Sequence, residues 1–341
     1  MRVARLYSFN DIRIEDVDVP EPGDNDALMS VRACGICSGD VMKWYIEKKA
    51  PLVIGHEPSG EIVRVGRAVK GFKSGDRIFV HHHAPCMKCR FCMRGDYVQC
   101  EEWKRSRIIP GGISEYILIP DGILRNDTLL LPEDVGYDDA TLIEPTACVV
   151  KSLRRAGVKR GDVVLVIGLG VMGMLHILLL RDIGVERIIG ADMVEFRLNK
   201  AVEFGADYVV DVKREVLKDT VIKLTEGRGA DIVIVCPNSV SAMMDGFECV
   251  APGGRVVLFT PAMPDERLVI DPNRIYFNDI SVITSYSCGP DDTRKALDYI
   301  KRGVIRGERL ITHRFGIDDT ITAYKIVARA EDSLKVIITF G

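Results

Sequence analysis

Val163-Val164-Leu165-Val166-Ile167-Gly168-Leu169-Gly170-Val171-Met172-Gly173-Met174-Leu175-His176-Ile177-Leu178-Leu179-Leu180 is an uncharged stretch of 18 residues in a chain of 341, and its reading decides the fold. A bilayer span would need an unbroken apolar helix of about this length. Here β-branched residues come first, glycines cluster at 168, 170 and 173, and a Leu/Met run follows. That order reads as a buried strand, a tight turn and a packed helix. With no other candidate span, no membrane partner is expected.

Glycines spaced as Gly168-Leu169-Gly170-Val171-Met172-Gly173 between a strand and a helix suit a dinucleotide. The first permits the turn, the second lets backbone approach a pyrophosphate, and the third lets helix pack on strand. Unpaired N–H groups at the helix start face the anion. The next strand ends at Asp192, 19 residues after Gly173. A carboxylate there accepts hydrogen bonds from ribose hydroxyls and repels a 2′-phosphate, so NAD is preferred to NADP. Arg197 borders the adenosine pocket or is a solvated helix charge.

Outward from this turn, strands near 163–167, 187–191, 231–235, 255–259 and 280–285 alternate with helices, the rhythm of a doubly wound parallel sheet. Residues 1–147 instead carry short strands and glycine-rich turns, such as Leu28 to Ala33, Gly60 to Val65 and Arg77 to His81. The tail, with a helix near 291–302 and a strand near 334–340, is too short for a third domain and is expected to rejoin the first. The fold class is therefore α/β: a Rossmann sheet over 148–286, inserted in a β-rich domain of residues 1–147 and 287–341.

Cys86, Cys89, Cys92 and Cys100 form C-x2-C-x2-C-x7-C in one loop, 86–100. Four thiolates at this spacing close a tetrahedral shell around zinc, a structural role; an iron–sulfur cluster is the competitor. A second group is dispersed: Cys37, the pair His56-Glu57, and Glu144. One thiolate, one imidazole and one or two carboxylates leave a coordination position for water or substrate, as a catalytic zinc requires. Asp40 is either an outer partner of the His56 ring or a turn aspartate. The tract His81-His82-His83 reads as a strand end with alternately exposed rings, and His176 as a satisfied core residue. His313 has no partner visible in the sequence.

Composition narrows the partners. With 47% apolar and 28% charged residues and a formal charge of −3, the chain has no general attraction to nucleic acid, and a small molecule is expected. Ten cysteines without an export signal suggest the cytoplasm.

Gly55-His56-Glu57-Pro58-Ser59-Gly60, followed by Gly66 and Val69, resembles the zinc signature G-H-E-x2-G-x5-G-x2-V of the medium-chain dehydrogenase/reductase family. The cysteine loop and glycine turn follow in that family's order. The resemblance implies a GroES-like catalytic domain, a Rossmann domain, an active-site cleft between them, two zincs per chain, and a homodimer or homotetramer. Glu144-Pro145 resembles the sorbitol (iditol) and threonine dehydrogenase branch, whose members bind zinc through Cys, His and the adjacent Glu, with the later Glu direct or through water. Which of Glu57 and Glu144 binds stays open.

The family usually carries Ser or Thr two residues after the ligand cysteine and His five after it, a relay for the alcohol proton. Here these positions are Gly39 and Met42, with Ser38 and Lys43 displaced by one residue. Trp44 and Tyr45 either wall the substrate pocket or pack on each other. The implied activity is hydride transfer from a secondary alcohol, a polyol or amino alcohol, to NAD. The alternatives are a simple secondary or hydroxyacyl-type alcohol, or a protein that binds NAD and zinc with little turnover.

Overall fold

The computed structural model describes residues 1–341, which form two compact units, Met1–Ala147 with Cys288–Gly341, and Cys148–Ser287. No helix is long and apolar enough to cross a membrane.

In the second unit, Val163–Ile167 is buried at every position and pairs in parallel with Arg187–Asp192 on one side and Ala230–Val235 on the other. A central parallel strand is covered on both faces, which is why it is apolar throughout rather than alternating. Tyr208–Asp211 extends one edge, Val250–Leu258 and Ser281–Thr284 the other, giving six parallel strands. The chain thus runs outward in one direction from Val163–Ile167 and restarts beside it at Ala230–Val235. This reversal opens a crevice at the carboxyl ends of those two strands, where open α/β sheets bind ligands. Helix Val171–Ile183 starts there and stops at Gly184, whose φ of 80° lets its N–H turn back to the Leu180 carbonyl at 3.0 Å.

The strand expected at 255–259 begins earlier, at Val250, because Pro252-Gly253-Gly254 reads as a turn but is accommodated as an irregularity in the ladder. Strand Tyr208–Asp211 and helices Leu217–Leu224 and Val240–Cys249 lay in stretches whose periodicity sequence reading had not assigned.

The first unit is built on Ala27–Gly35, which lies antiparallel between Glu57–Val65 and Lys335–Thr339. Ile311–Phe315, Arg77–Val80, Thr128–Leu130 and Tyr116–Ile119 complete a seven-stranded sheet. Met29, Val31, Ile62, Ile78, Ile117 and Ile119 are at most 1% exposed and form its core, each such side chain contributing about 1.5–3 kcal/mol by burial. Strand Lys335–Thr339 comes from the C-terminal tail, so the sheet closes only when the two ends of the chain meet. Strand Arg77–Val80 stops one residue before the histidine tract.

Candidate active site and metal centres

The glycine turn meets its geometric requirements. Gly168 has φ +85° and Gly173 sits so close to it that a Cβ there would lie 2.1 Å from the Gly168 carbonyl oxygen. At Gly170 a Cβ would meet nothing nearer than the Arg197 guanidinium carbon at 4.0 Å, which leaves the space above the helix start open to an anion. Asp192 is 8% exposed and its Oδ2 accepts from the Leu169 N–H at 2.7 Å, while Oδ1 accepts from Met193 and Val194 at 2.7 and 2.9 Å. Three amides occupy three of a carboxylate's roughly four lone-pair sites, so a ribose hydroxyl can still be accepted. Arg197 Nη1 stands 3.8 Å from Asp192, and its buried Nε has no hydrogen-bond partner. Replacement Asp192→Ser is therefore expected to raise the KM for NAD and shift the NADP-to-NAD ratio of kcat/KM upward about tenfold or more, since a hydrogen bond to a charged acceptor is worth about 1.5–3 kcal/mol. Steady-state kinetics with both dinucleotides checks this, and an unchanged ratio would remove Asp192 from the site.

All ten cysteines are thiols. In the loop 86–100, the sulfurs of Cys86, Cys89, Cys92 and Cys100 gather within 4.8 Å of one another, with Cys89 to Cys92 at 3.5 Å and Cys86 to Cys92 at 3.9 Å. The edge of a tetrahedron with bonds of about 2.3 Å is about 3.8 Å, so the four donors fit a zinc. Gly95, at φ 76°, turns the chain between the third and fourth. Hydrogen bonding from the Lys88 backbone lowers the Cys86 thiol to about 6, and burial, with the neighbouring sulfurs, pushes Cys92 up to about 12. A divalent cation relieves that crowding of sulfurs. Cys100→Ser is expected to remove one equivalent of zinc and lower the melting temperature, read by metal mass analysis and calorimetry; retention of all zinc would count against this assignment.

The dispersed group also converges. Cys37 follows the end of Ala27–Gly35, and His56 and Glu57 lie at the start of Glu57–Val65, the antiparallel neighbour, so sheet pairing brings their ligand atoms within 4.8 Å. Cys37 Sγ accepts the Gly39 N–H at 3.3 Å. Asp40, 5% exposed, sets its Oδ2 3.4 Å from His56 Nδ1, which aims the other ring nitrogen at the group. Burial opposes a charged ring, yet Asp40 and Cys37 outweigh it and raise the His56 pKa well above its usual value. Cys34 differs from Cys37: burial pushes its thiol up to about 12, so it serves packing.

Glu57 is fully buried. Its Oε2 is paired with Lys335 Nζ, which also donates to the Ile36 carbonyl at 3.1 Å, while its Oε1 is buried without a hydrogen-bond partner. A metal beside Cys37 and His56 would satisfy that oxygen, so the residues fit a zinc with three protein donors. The ammonium reaches Glu57 across Gly35, where a Cβ would lie 2.0 Å from Glu57 Oε2 and 2.7 Å from Lys335 Cε. Glu57 outweighs burial and keeps Lys335 charged. Sequence reading missed Lys335. A single lysine heading an apolar strand, Lys335–Thr339, carries no local signal of its partner.

Glu144 joins a different set. Its carboxylate lies within 4.8 Å of ring nitrogens of His81 and His82, not in the group of Cys37, His56 and Glu57. The expectation of alternately exposed rings is corrected here: past the strand end the chain turns inward, leaving His81 at 0% exposure and His82 and His83 only partly exposed. His82 packs against the His56 ring at 4.8 Å between centroids. His176 is a buried ring with Nδ1 2.8 Å from the Met172 carbonyl and Nε2 3.1 Å from Ser152 Oγ. His313 is paired with Thr312 at 2.9 Å. Trp44 and Tyr45 form an edge-to-face pair at 5.7 Å, overlaid by Lys48 and Lys49. Gly39 and Met42 bring no hydroxyl or imidazole to the site, and a Cβ at Gly39 would sit 3.5 Å from Cys37 Sγ.

Two family profiles match the chain, one described as zinc-binding dehydrogenase over residues 171–302 and one as alcohol dehydrogenase GroES-like domain over residues 23–126. A sorbitol dehydrogenase of Halalkalibacterium halodurans is 31% identical over 345 residues, spanning 99% of this chain and 98% of the relative. An L-threonine 3-dehydrogenase of Pyrococcus furiosus is 30% identical, spanning 94% and 93%. The solved structure of an Escherichia coli alcohol dehydrogenase complexed with NADH has a TM-score of 0.89 at 26% identity, spanning 100% of this chain and 99% of that one.

Proposed function

Because this chain belongs to the zinc-containing medium-chain dehydrogenase/reductase family, we propose that it oxidises a secondary alcohol, a polyol or amino alcohol, with NAD as the hydride acceptor. The observation that carries this reading is the trio Cys37, His56 and Glu57, whose buried Glu57 Oε1 has no partner other than a cation the trio would hold. When bound, zinc supplies the positive charge that makes an alcohol proton easier to lose, and NAD supplies the carbon that accepts hydride.

The chain's own residues bind and orient. Asp40 keeps a proton on His56 Nδ1, leaving the other nitrogen to the metal. Lys335 fixes Glu57 Oε2, so the carboxylate offers one oxygen. The Gly39 N–H spreads charge from Cys37 Sγ. Gly168, Leu169, Gly170, Val171, Met172 and Gly173 seat the pyrophosphate, with Asp192 accepting from the ribose and Arg197 beside it. Because Gly39 and Met42 carry no relay group, the alcohol proton leaves through water or Lys43 Nζ. Cys86, Cys89, Cys92 and Cys100 hold the second zinc, which has no place for substrate. A homodimer or homotetramer in the cytoplasm completes the proposal.

The test is steady-state NAD reduction against sorbitol, L-threonine, 2,3-butanediol and hydroxyacyl-type alcohols, with and without chelator. Chelator-sensitive NADH production with a polyol or amino alcohol is the expected result. Binding of NAD and zinc with no turnover on any of these would favour the second reading, a binding protein that lost its relay at Gly39 and Met42.

A further inference from the structure

We propose that Trp103 and His83 are positioning residues for the ligand His56: the cysteine loop sets Trp103, and Trp103 holds the His83 and His82 rings against the His56 ring. This role rests on the proposed metal centre of Cys37, His56 and Glu57, and it gives the loop 86–100 a part in that centre beyond holding its own zinc.

Four rings stand in a row. Centroids lie 4.5 Å apart from Trp103 to His83, 4.2 Å from His83 to His82 and 4.8 Å from His82 to His56. Tilted rings at such spacings touch, so each ring limits the next. On a regular strand the neighbours 82 and 83 would face opposite sides. Strand Arg77–Val80 has ended before them, and the turned chain lets their rings lie side by side.

The row is anchored at its far end. Cys100 is the N-cap of helix Glu101–Arg105, which carries Trp103, 3% exposed and packed in one cluster with Cys92, Tyr97, Val98 and Cys100. Just past that helix, Ser106 Oγ accepts from the Ala84 N–H at 2.9 Å and donates to the Ala84 carbonyl at 3.1 Å, and the Ser106 carbonyl is paired with His83 Nδ1. Burial pushes the His83 pKa down to about 3, so the ring is neutral and its paired nitrogen carries the proton. At the near end, Asp40 Oδ2 holds His56 by Nδ1 at 3.4 Å, and His82 packs on the ring itself. Close-packed interiors transmit displacements, so a shift of Trp103 re-aims the nitrogen that His56 offers.

The experiment is zinc retention by the full-length, zinc-loaded protein against a graded series of chelator, read by metal mass analysis. Wild type is expected to release zinc in two steps, and the step absent from Cys37→Ser belongs to the trio. Trp103→Leu and His83→Leu should each move that step to about tenfold less chelator, the cost of losing a partner that orients a metal-binding ring. Trp103→Phe and His83→Phe, which keep a ring in the row, should leave it in place. His82→Leu should move the step as Trp103→Leu does, and the double variant no further, because both break the same row. A trio step unmoved in His83→Leu, moved only together with the loop's step, or moved additively in the double variant overturns the positioning role and leaves the trio standing. Two steps surviving in Cys37→Ser remove the trio itself, and the positioning role with it.

Discussion

Cys37→Ala is expected to lower NAD-linked turnover about a thousandfold and to release one equivalent of zinc. The trio offers one sulfur, one imidazole nitrogen and a single carboxylate oxygen, because Lys335 occupies the other oxygen of Glu57. Removal of the thiolate leaves two donors, fewer than the three that hold a catalytic zinc. Metal charge at a reacting oxygen is worth several kcal/mol, and about 4 kcal/mol corresponds to about 10³ in rate. The fold should survive, since Cys37 is only partly buried and its local structural role is to accept the Gly39 N–H at 3.3 Å ahead of the 3-10 turn Ser38–Val41. Loss of that cap costs about 1 kcal/mol. NADH absorbance, metal content and the melting curve measured together separate the two effects. Full turnover with metal retained would mean that Cys37 is not a ligand.

Measured with chelator present, so that no cation compensates Glu57, Lys335→Met is expected to destabilise the first unit by about 3–5 kcal/mol. The ammonium and the Glu57 carboxylate are 1% and 0% exposed. Removing one partner of such a pair strands the other charge away from water, which costs far more than the pair itself contributes. For a unit of this size the melting temperature of its transition should fall by roughly 6–20 °C. The double variant Lys335→Met, Glu57→Leu, measured with chelator present, should recover most of the loss, because an apolar pair removes the stranded charge. Equal melting temperatures for wild type and Lys335→Met would show that the pair is dispensable. Gly35→Ala gives an independent check: its Cβ would overlap both side chains, so it should destabilise without altering any charge.

The legible parts of this protein are those in which neighbours along the chain decide the outcome. The strand, turn and helix of residues 163–183 follow from β-branched residues, three spaced glycines and a Leu/Met run, and so did the alternation that predicts a parallel sheet. Four cysteines within 15 residues meet because the loop is too short for them to be far apart. The family follows from the same local patterns, together with Gly55 to Val69. Short-range periodicity failed where it met an irregular ladder, at Pro252-Gly253-Gly254, and at His81, where it continued a strand past its end.

Which distant groups share a site was left to the tertiary structure. Glu57 and Glu144 are equivalent as letters, yet one stands with Cys37 and His56 and the other with His81 and His82. Lys335 finds Glu57 across 278 residues, and Cys288 finds His81 across 207. Such partners are selected by strand order and register, with Ala27–Gly35 holding Glu57–Val65 on one side and Lys335–Thr339 on the other. Register is a property of the assembled sheet, and burial makes it decisive, since a charge or ligand removed from water must meet its partner there.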